Sequence, residues 1–232
     1  MSSAPQADFR CGTVAIVGRP NVGKSTLLNH ILGVKLSITS RKAQTTRHRL
    51  LGIHTTNQAQ YLFVDTPGFQ TKHINALNRM LNKTVTQVLS EVDVVLFVIE
   101  AGYFADADQQ VLDLLPTNKP VILVINKADQ LKDKAELLPF IQEQGARFSF
   151  TAVIPVSAKK DLQLDTLLDA VTPLLPAQAA IYDEDELTDK NERFLAAELL
   201  REKAFRFLGD ELPYGIAVEI EQFALEGKLR RI

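Results

Sequence analysis

Residues 18–25 read Gly-Arg-Pro-Asn-Val-Gly-Lys-Ser, after the apolar run Val14, Ala15, Ile16, Val17 and before the helix-forming stretch 25–32. This is the phosphate-loop pattern G-x-x-x-x-G-K-[ST]. It constrains the fold as well as the chemistry. Its backbone N–H groups converge on an anion only where a buried strand delivers the loop and a helix N-terminus receives it. Strand, glycine loop and helix in immediate succession begin a βαβ unit, and so a parallel sheet covered on both faces. Ordinary composition puts such a loop by chance in about one chain of this length in 100.

Three more segments follow strand-like runs. Asp65-Thr66-Pro67-Gly68 closes the run 61–64, Asn126-Lys127-Ala128-Asp129 closes 121–125, and Ser157-Ala158-Lys159 closes 152–156. A D-x-x-G is expected by chance about once in such a chain, so its weight comes from its position. Other strand candidates are 13–17, 50–54 and 92–99, and helices are expected over 23–32, 74–89, 107–115, 134–144 and 162–175. Ligands of such sheets bind beyond the carboxyl ends of the strands. One topology therefore brings all four segments to one edge. The expected fold is α/β, a phosphate-loop nucleotide-binding domain over 10–176 with a mostly parallel six-stranded sheet.

Composition fits this reading: 46% apolar and 23% charged residues in 232 describe a globular chain of one large domain, or one domain plus a fragment. Cys11 is the single cysteine, which excludes a disulfide framework or thiolate cluster; it is expected to be a half-buried packing residue. The longest apolar runs, such as 94–99, are far too short to span a membrane. Residues 1–9 read as a loose tail rather than a secretory signal, and the expected compartment is the cytoplasm. The four histidines, His30, His48, His54 and His73, show no ligand spacing.

After Pro173 and Pro176, residues 177–190 read as a linker with the acidic cluster 183–186. Thr188 or Asp189 is expected to cap a helix over 191–208, with a strand over 216–223. Residues 181–232 carry 8 Lys/Arg against 13 Asp/Glu, net −5, and residues 1–180 carry net +3. About 50 residues with one helix and one strand are too few for an independent core. The segment is expected to be partly disordered or to rest on the first domain through Phe194, Leu195, Leu199, Leu200 and Phe205. Its negative charge opposes phosphate binding, so weak nucleic-acid binding or none is expected of the chain as given.

With four motifs in this order, the chain resembles the translation-associated GTPases, and more narrowly the Era type. The narrower match rests on the loop 18–26, the stretch Ser-Ile-Thr-Ser-Arg-Lys-Ala-Gln-Thr-Thr-Arg-His-Arg at 37–49, and the run 193–214. The resemblance implies GTP and GDP as ligands and Mg²⁺ as cofactor, with a K⁺ ion also admitted. It implies small-subunit ribosomal RNA and the small ribosomal subunit as partners, with peripheral contact at the inner membrane as a further option. It also implies that 191–232 begins a KH-type RNA-binding domain, ending before any G-x-x-G clamp.

On this reading Gly18, Arg19, Pro20, Asn21, Val22, Gly23, Lys24, Ser25 and Thr26 wrap the phosphates, with Lys24 on the β and γ groups. Ser25, Asp65 and a switch hydroxyl hold Mg²⁺. That hydroxyl is Thr45 or Thr46 by sequence, and alignment to the family favours Thr46. Thr66, Pro67, Gly68 and Phe69 border the γ-phosphate. Asp129 accepts from guanine N1–H and the exocyclic amine, Asn126 holds O6 and N7, and the Lys127 stem lies along the base beside Ala128. The Ala158 N–H, between Ser157 and Lys159, is a candidate donor to O6. Phe69 stands where many GTPases place a water-orienting glutamine, and Gln70 is one residue too far. Catalysis then leans on Lys24, Thr46, Asp65, Gly68 and Asn21, the last as the K⁺ ligand. Arg41, Lys42, Arg47 and Arg49 form a basic cluster. The function expected is a GTP-hydrolysing switch in small-subunit assembly and ribosomal RNA maturation. Its rivals are a related ribosome- or tRNA-associated GTPase, a phosphate-loop metabolic kinase, and a binding module with negligible turnover.

Overall fold

The structure is a computed structural model that describes residues 8–39, 50–69, 76–131, 133–207, 216–226 and 229–231, with backbone alone at 76–81, 205–206, 225–226 and 229–231. Thr45, Thr46, Gln70, His48, His73 and the basic cluster 41–49 lie outside the described residues.

Six strands form one sheet: β1 (Arg10–Val17), β2 (Leu50–Thr55), β3 (Ala59–Asp65), β4 (Val94–Glu100), β5 (Val121–Asn126) and β6 (Ala152–Pro155), in the order β2-β3-β1-β4-β5-β6. All pairings are parallel except β2 with β3. The central strands alternate between two cores, as a period of two requires. Val94, Leu96 and Val98 join one cluster with α1 (Lys24–Leu32) and α5 (Leu164–Val171). Val95, Phe97 and Ile99 join the other with α2 (Ala76–Glu91) and α3 (Asp106–Leu112). Phe140 and Ile141 of α4 (Leu137–Gly145) pack against that second cluster. Apolar side chains on both faces make these strands near-continuous hydrophobic runs, the mark of a doubly covered sheet.

Element ends differ from expectation where local chemistry intervenes. The helix expected over 162–175 stops at Val171 and passes into a 3₁₀ turn, Thr172–Leu174, because Pro173 lacks the N–H to continue it. Cys11 is fully rather than half buried, and it lies beside Gln60.

Residues 177–190 are strapped to the sheet. Cys11 N donates to Pro176 O at 3.0 Å, and Gln178 Nε2 to Cys11 O at 2.8 Å. Ile53 N, on the edge strand, donates to Leu187 O at 2.9 Å. Tyr182 packs over a small cluster of Cys11, Ile53 and Leu62.

Helix α6 (Glu192–Phe207) follows. Its cap is Asn191, whose Oδ1 accepts from Phe194 N at 2.9 Å; Thr188 and Asp189, the expected caps, lie outside the first turn. Phe194 and Leu195 pack against the α1/α5 core, but Leu199 and Leu200 are exposed, so the helix has no single buried stripe. The strand expected over 216–223 is not one. Strands β7 (Ala224–Glu226) and β8 (Leu229–Arg231) pair antiparallel further on. Alternating Ile216, Val218 and Ile220 have strand composition, but among the described residues they join no strand pairing. Ile220 instead buries its side chain and offers its carbonyl to the Arg193 guanidinium.

Candidate nucleotide site

β1, β3, β5 and β6 deliver the four motifs to one edge, and β1 lies where successive strands add to opposite sides, the topological switch point. The loop after β1 turns through left-handed conformations at Asn21 (φ 67) and Gly23 (φ 101) before α1 begins at Lys24. At Gly23 a Cβ would strike the Asn126 amide; at Gly68 it would lie 2.9 Å from Pro20 Cα and 3.1 Å from Lys24 Nζ. Both glycines therefore allow the close approach that brings three motifs together.

Lys24 Nζ donates to Gly18 O and Arg19 O, each at 3.0 Å, so the ammonium lies across its own loop. Burial pushes its pKa down to about 8 against the opposing pull of Asp65. The negative charge of a bound polyanion would oppose that shift. Phe69 N donates to Gly18 O at 3.3 Å, tying the D-x-x-G segment to the loop, while the Phe69 ring packs against the α2/α3 core. Thr66 is fully buried and spends its hydroxyl on Ile16 O at 2.8 Å, so only its backbone remains for a ligand. Pro67 is buried beside it, and Val22 is buried in the α1/α5 core. Asn21 is exposed, and Thr26 is half-buried.

Ser25 Oγ donates to Asp65 Oδ2 at 2.9 Å, and Ser37 Oγ to the same oxygen at 2.7 Å. Two hydroxyls and a carboxylate around one point are hard oxygen donors that fit Mg²⁺. Ser37 escaped sequence reasoning. Its place is set by Asn29, whose Oδ1 accepts from Leu36 N and Ser37 N and whose Nδ2 donates to Ser37 O. No fixed spacing announces such a cage.

At the base motif, Asn126 Nδ2 donates to Val22 O at 2.8 Å, which ties the motif to the phosphate loop. Its Oδ1 accepts from Ala158 N at 3.1 Å. In this arrangement the Ala158 N–H is taken by the Asn126 amide, and the second Asn126 Nδ2 hydrogen is left for a base. Ser157 Oγ donates to Asp129 Oδ1 at 2.6 Å, with Lys160 Nζ 3.7 Å from Oδ2. The Ser157 hydroxyl holds the Asp129 carboxyl below the usual range, outweighing partial burial. Ala128 opens a short 3₁₀ turn, and Lys159 is exposed. The Arg19 side chain is engaged by Asp108 and Glu100. A cavity of about 600 Å³ lies alongside, lined by Thr26, His30, Val34, Lys35 and Asp161.

Fold and site together define a guanine-nucleotide-binding protein of the phosphate-loop class. The family described as "50S ribosome-binding GTPase" matches residues 13–127. GTPase Era of Chromobacterium violaceum is 60% identical over 224 residues, covering 97% of this chain and 76% of that protein. GTPase Era of Nitrosomonas eutropha is 58% identical with the same coverage. Among solved structures, Aquifex aeolicus Era bound to GDP and AlF₄⁻ superposes with a TM-score of 0.88 at 41% identity, covering 94% of this chain and 75% of that one. Era in complex with MgGDPNP and nucleotides 1506–1542 of 16S ribosomal RNA gives 0.89 at 41%, covering 94% and 74%. The chain belongs to the Era family of GTPases. It binds and hydrolyses GTP, which sets aside the kinase and the turnover-free module.

Proposed function

We propose that this GTPase acts as a switch in assembly of the small ribosomal subunit and maturation of its RNA, with GTP state setting how the segment after residue 190 is presented. The observation that carries the proposal is a contact between the two parts. The Lys35 ammonium, just after α1, pairs with the buried Glu202 of α6 at 2.5 Å, and Thr39 Oγ1 donates to Glu202 Oε1 at 3.4 Å. Two residues before Lys35 the chain leaves α1, and two after it stands Ser37 on Asp65. Nucleotide-dependent movement of 35–39 would therefore reach α6 directly. The organisation that goes with this reading is a tail over 1–9, a GTP-binding domain over 10–176, a connection over 177–190 and a partial KH-type unit over 191–232.

In the site, Lys24 rests on the β- and γ-phosphates, with backbone N–H groups of 21–26 around the α/β region. Ser25, Asp65 and Thr46 hold Mg²⁺, with Ser37 added to that set. When bound there, the ion would supply charge neutralisation to the phosphates. Asp129 takes N1–H and the exocyclic amine, Asn126 holds O6 and N7 with the Ala158 N–H as a candidate donor to O6, and the Lys127 stem covers the base. Backbone groups at Thr66, Pro67, Gly68 and Phe69 border the γ-phosphate. Phe69 cannot orient water, so hydrolysis leans on loop electrostatics and on a K⁺ ion held by Asn21. The protein works in the cytoplasm, with peripheral contact at the inner membrane as a further element.

Co-sedimentation with isolated small ribosomal subunits tests the switch. Retention should be stronger with a non-hydrolysable GTP analogue than with GDP, and absent with isolated large subunits. Equal retention in both nucleotide states, or preference for the large subunit, overturns the proposal.

A further inference from the structure

Two cations of the nucleotide site meet on one carboxylate oxygen. Glu100, the last residue of β4, receives Arg19 Nη2 at 3.0 Å and Lys127 Nζ at 2.9 Å, both on Oε2. Arg19 is the second residue of the phosphate loop, and Lys127 the second of the base motif. Arg19 is held from two further sides: its Nε donates to Asp108 Oδ2 at 2.9 Å, and its guanidinium lies 5.0 Å from the centre of the Tyr103 ring. Lys127 has a left-handed backbone, φ 62, which costs energy for a side-chain-bearing residue and so needs support from its surroundings. The backbone brings the partners together, since Glu100 is in register with Asn126 and Ala101 N donates to Asn126 O at 2.8 Å.

Glu100 and Asp108 are not equivalent. Asp108 is fully buried, and burial raises its pKa against the pull of Arg19. Partial burial also pulls Glu100 upward, but Lys127 and Arg19 together hold it below the usual range. Glu100 is thus the firmly ionised member, and the one that reaches both motifs.

We propose that Glu100 is a positioning residue that locks Lys127 of the base motif to Arg19 of the phosphate loop, so that the two halves of the nucleotide meet a single preorganised surface. This rests on the reading of 126–129 as the base motif. Without the lock, each motif must be ordered by the ligand, and that ordering is subtracted from affinity. The Asn126–Val22 bond joins the motifs on the inner side; the Glu100 bridge joins them on the outer side.

Stopped-flow displacement of a fluorescent GDP from Glu100→Gln, which keeps the side-chain shape without the charge, tests the lock. GDP and GTP affinity should fall by about tenfold, mostly through faster release. Glu100→Asp, with the charge but a shorter reach, should fall between. Adding Lys127→Ala to Glu100→Gln should cost less than about twofold more, although Lys127→Ala alone costs about tenfold, because both changes remove one interaction. A residue with a merely structural role would show additive losses and a lowered unfolding temperature without nucleotide. Affinity within about twofold of the parent, or additive losses, overturns the inference. Asp129→Asn separates it from the reading beneath. Loss of GTP by that variant with Glu100→Gln unchanged overturns the lock alone, whereas retention of GTP by Asp129→Asn overturns both.

Discussion

Ser157 donates its hydroxyl to Asp129 Oδ1 at 2.6 Å, and this fixes how the carboxylate can meet a base. One oxygen is oriented by a buried serine, and the carboxyl is held ionised by the same bond. A charged acceptor of fixed direction suits two adjacent N–H donors, the pattern of guanine N1 and its exocyclic amine. Asp129→Asn should therefore lose GTP and gain xanthosine triphosphate, whose carbonyl complements the new amide. A site built for one hydrogen-bond pattern rejects the wrong one by about 10⁴. Equilibrium binding of both nucleotides checks this, and GTP affinity within about tenfold of the parent, roughly 1.4 kcal/mol, would sink it.

Lys24 links binding to pH. Burial holds it at about 8 in the arrangement described, below the ordinary lysine value of 10.5, and bound phosphates should raise it. Below pH 8 the amine is charged with or without nucleotide, and affinity should be flat. Above 8 binding must take up a proton, so affinity should fall with rising pH, by up to about tenfold per unit. Stability without nucleotide runs the other way. Between 8 and 10.5 the unfolded chain holds a proton that the folded chain lacks, so this group's contribution rises with pH there. Calorimetry at pH 9 in buffers of different ionisation enthalpy should show uptake approaching about one proton per GTP. Lys24→Arg, charged throughout, should show none from this source; equal uptake in both proteins contradicts the assignment.

Gln60 pins the segment after the domain. Its Nε2 donates to Tyr182 O at 2.9 Å and Thr55 Oγ1 at 3.0 Å, and its Oε1 accepts from Ile181 N at 2.8 Å and Tyr182 N at 3.0 Å. The side chain is fully buried. Gln60→Leu keeps much of the volume but removes acceptors for two backbone N–H groups, each costing about 1–3 kcal/mol if left unsatisfied. Urea unfolding should register that loss, and limited proteolysis should cut sooner within 177–190. GTP affinity should stay within about twofold, because the strap lies away from the nucleotide edge. Unchanged proteolysis would show that the other strap contacts suffice.

The parts legible in the sequence are those where one local pattern settles both backbone and chemistry. Gly18, Gly23, Lys24 and Ser25 sit in a single strand–loop–helix unit, and Asp129 follows its strand at once, so their placement needed no distant partner. What stayed hidden depends on contacts far apart in the chain. Ser37 reaches Asp65 only because Asn29 cages the intervening turn. Glu100 looked like an ordinary strand end until Arg19 and Lys127 met it. The same holds for 216–223. Its alternation reports which side chains are buried, whereas a strand also needs a neighbouring backbone, which Ala224–Glu226 finds in Leu229–Arg231.

Hydrolysis should respond to the monovalent cation through Asn21. The Phe69 ring belongs to the α2/α3 core and has no polar atom for water, so the usual glutamine contribution is missing. Asn21 is exposed at the rim of the phosphate loop, in the left-handed conformation that asparagine tolerates better than most residues. Its carbonyl oxygen is a hard donor suited to an alkali ion. An arginine finger at a comparable position gives GTPases about 10³–10⁵ in rate, and a single loosely held cation should give less. The parent should hydrolyse GTP at least about tenfold faster in K⁺ than in Na⁺ at equal ionic strength, since a smaller ion fits the same oxygens less well. Asn21→Gly is the informative variant. Glycine accepts φ 67 without strain, so the loop keeps its shape while the amide is lost. That variant should bind GTP normally and hydrolyse it equally slowly in both salts. Equal rates in K⁺ and Na⁺ for the parent would remove the cation from the mechanism and leave Lys24 and the loop N–H groups to carry it.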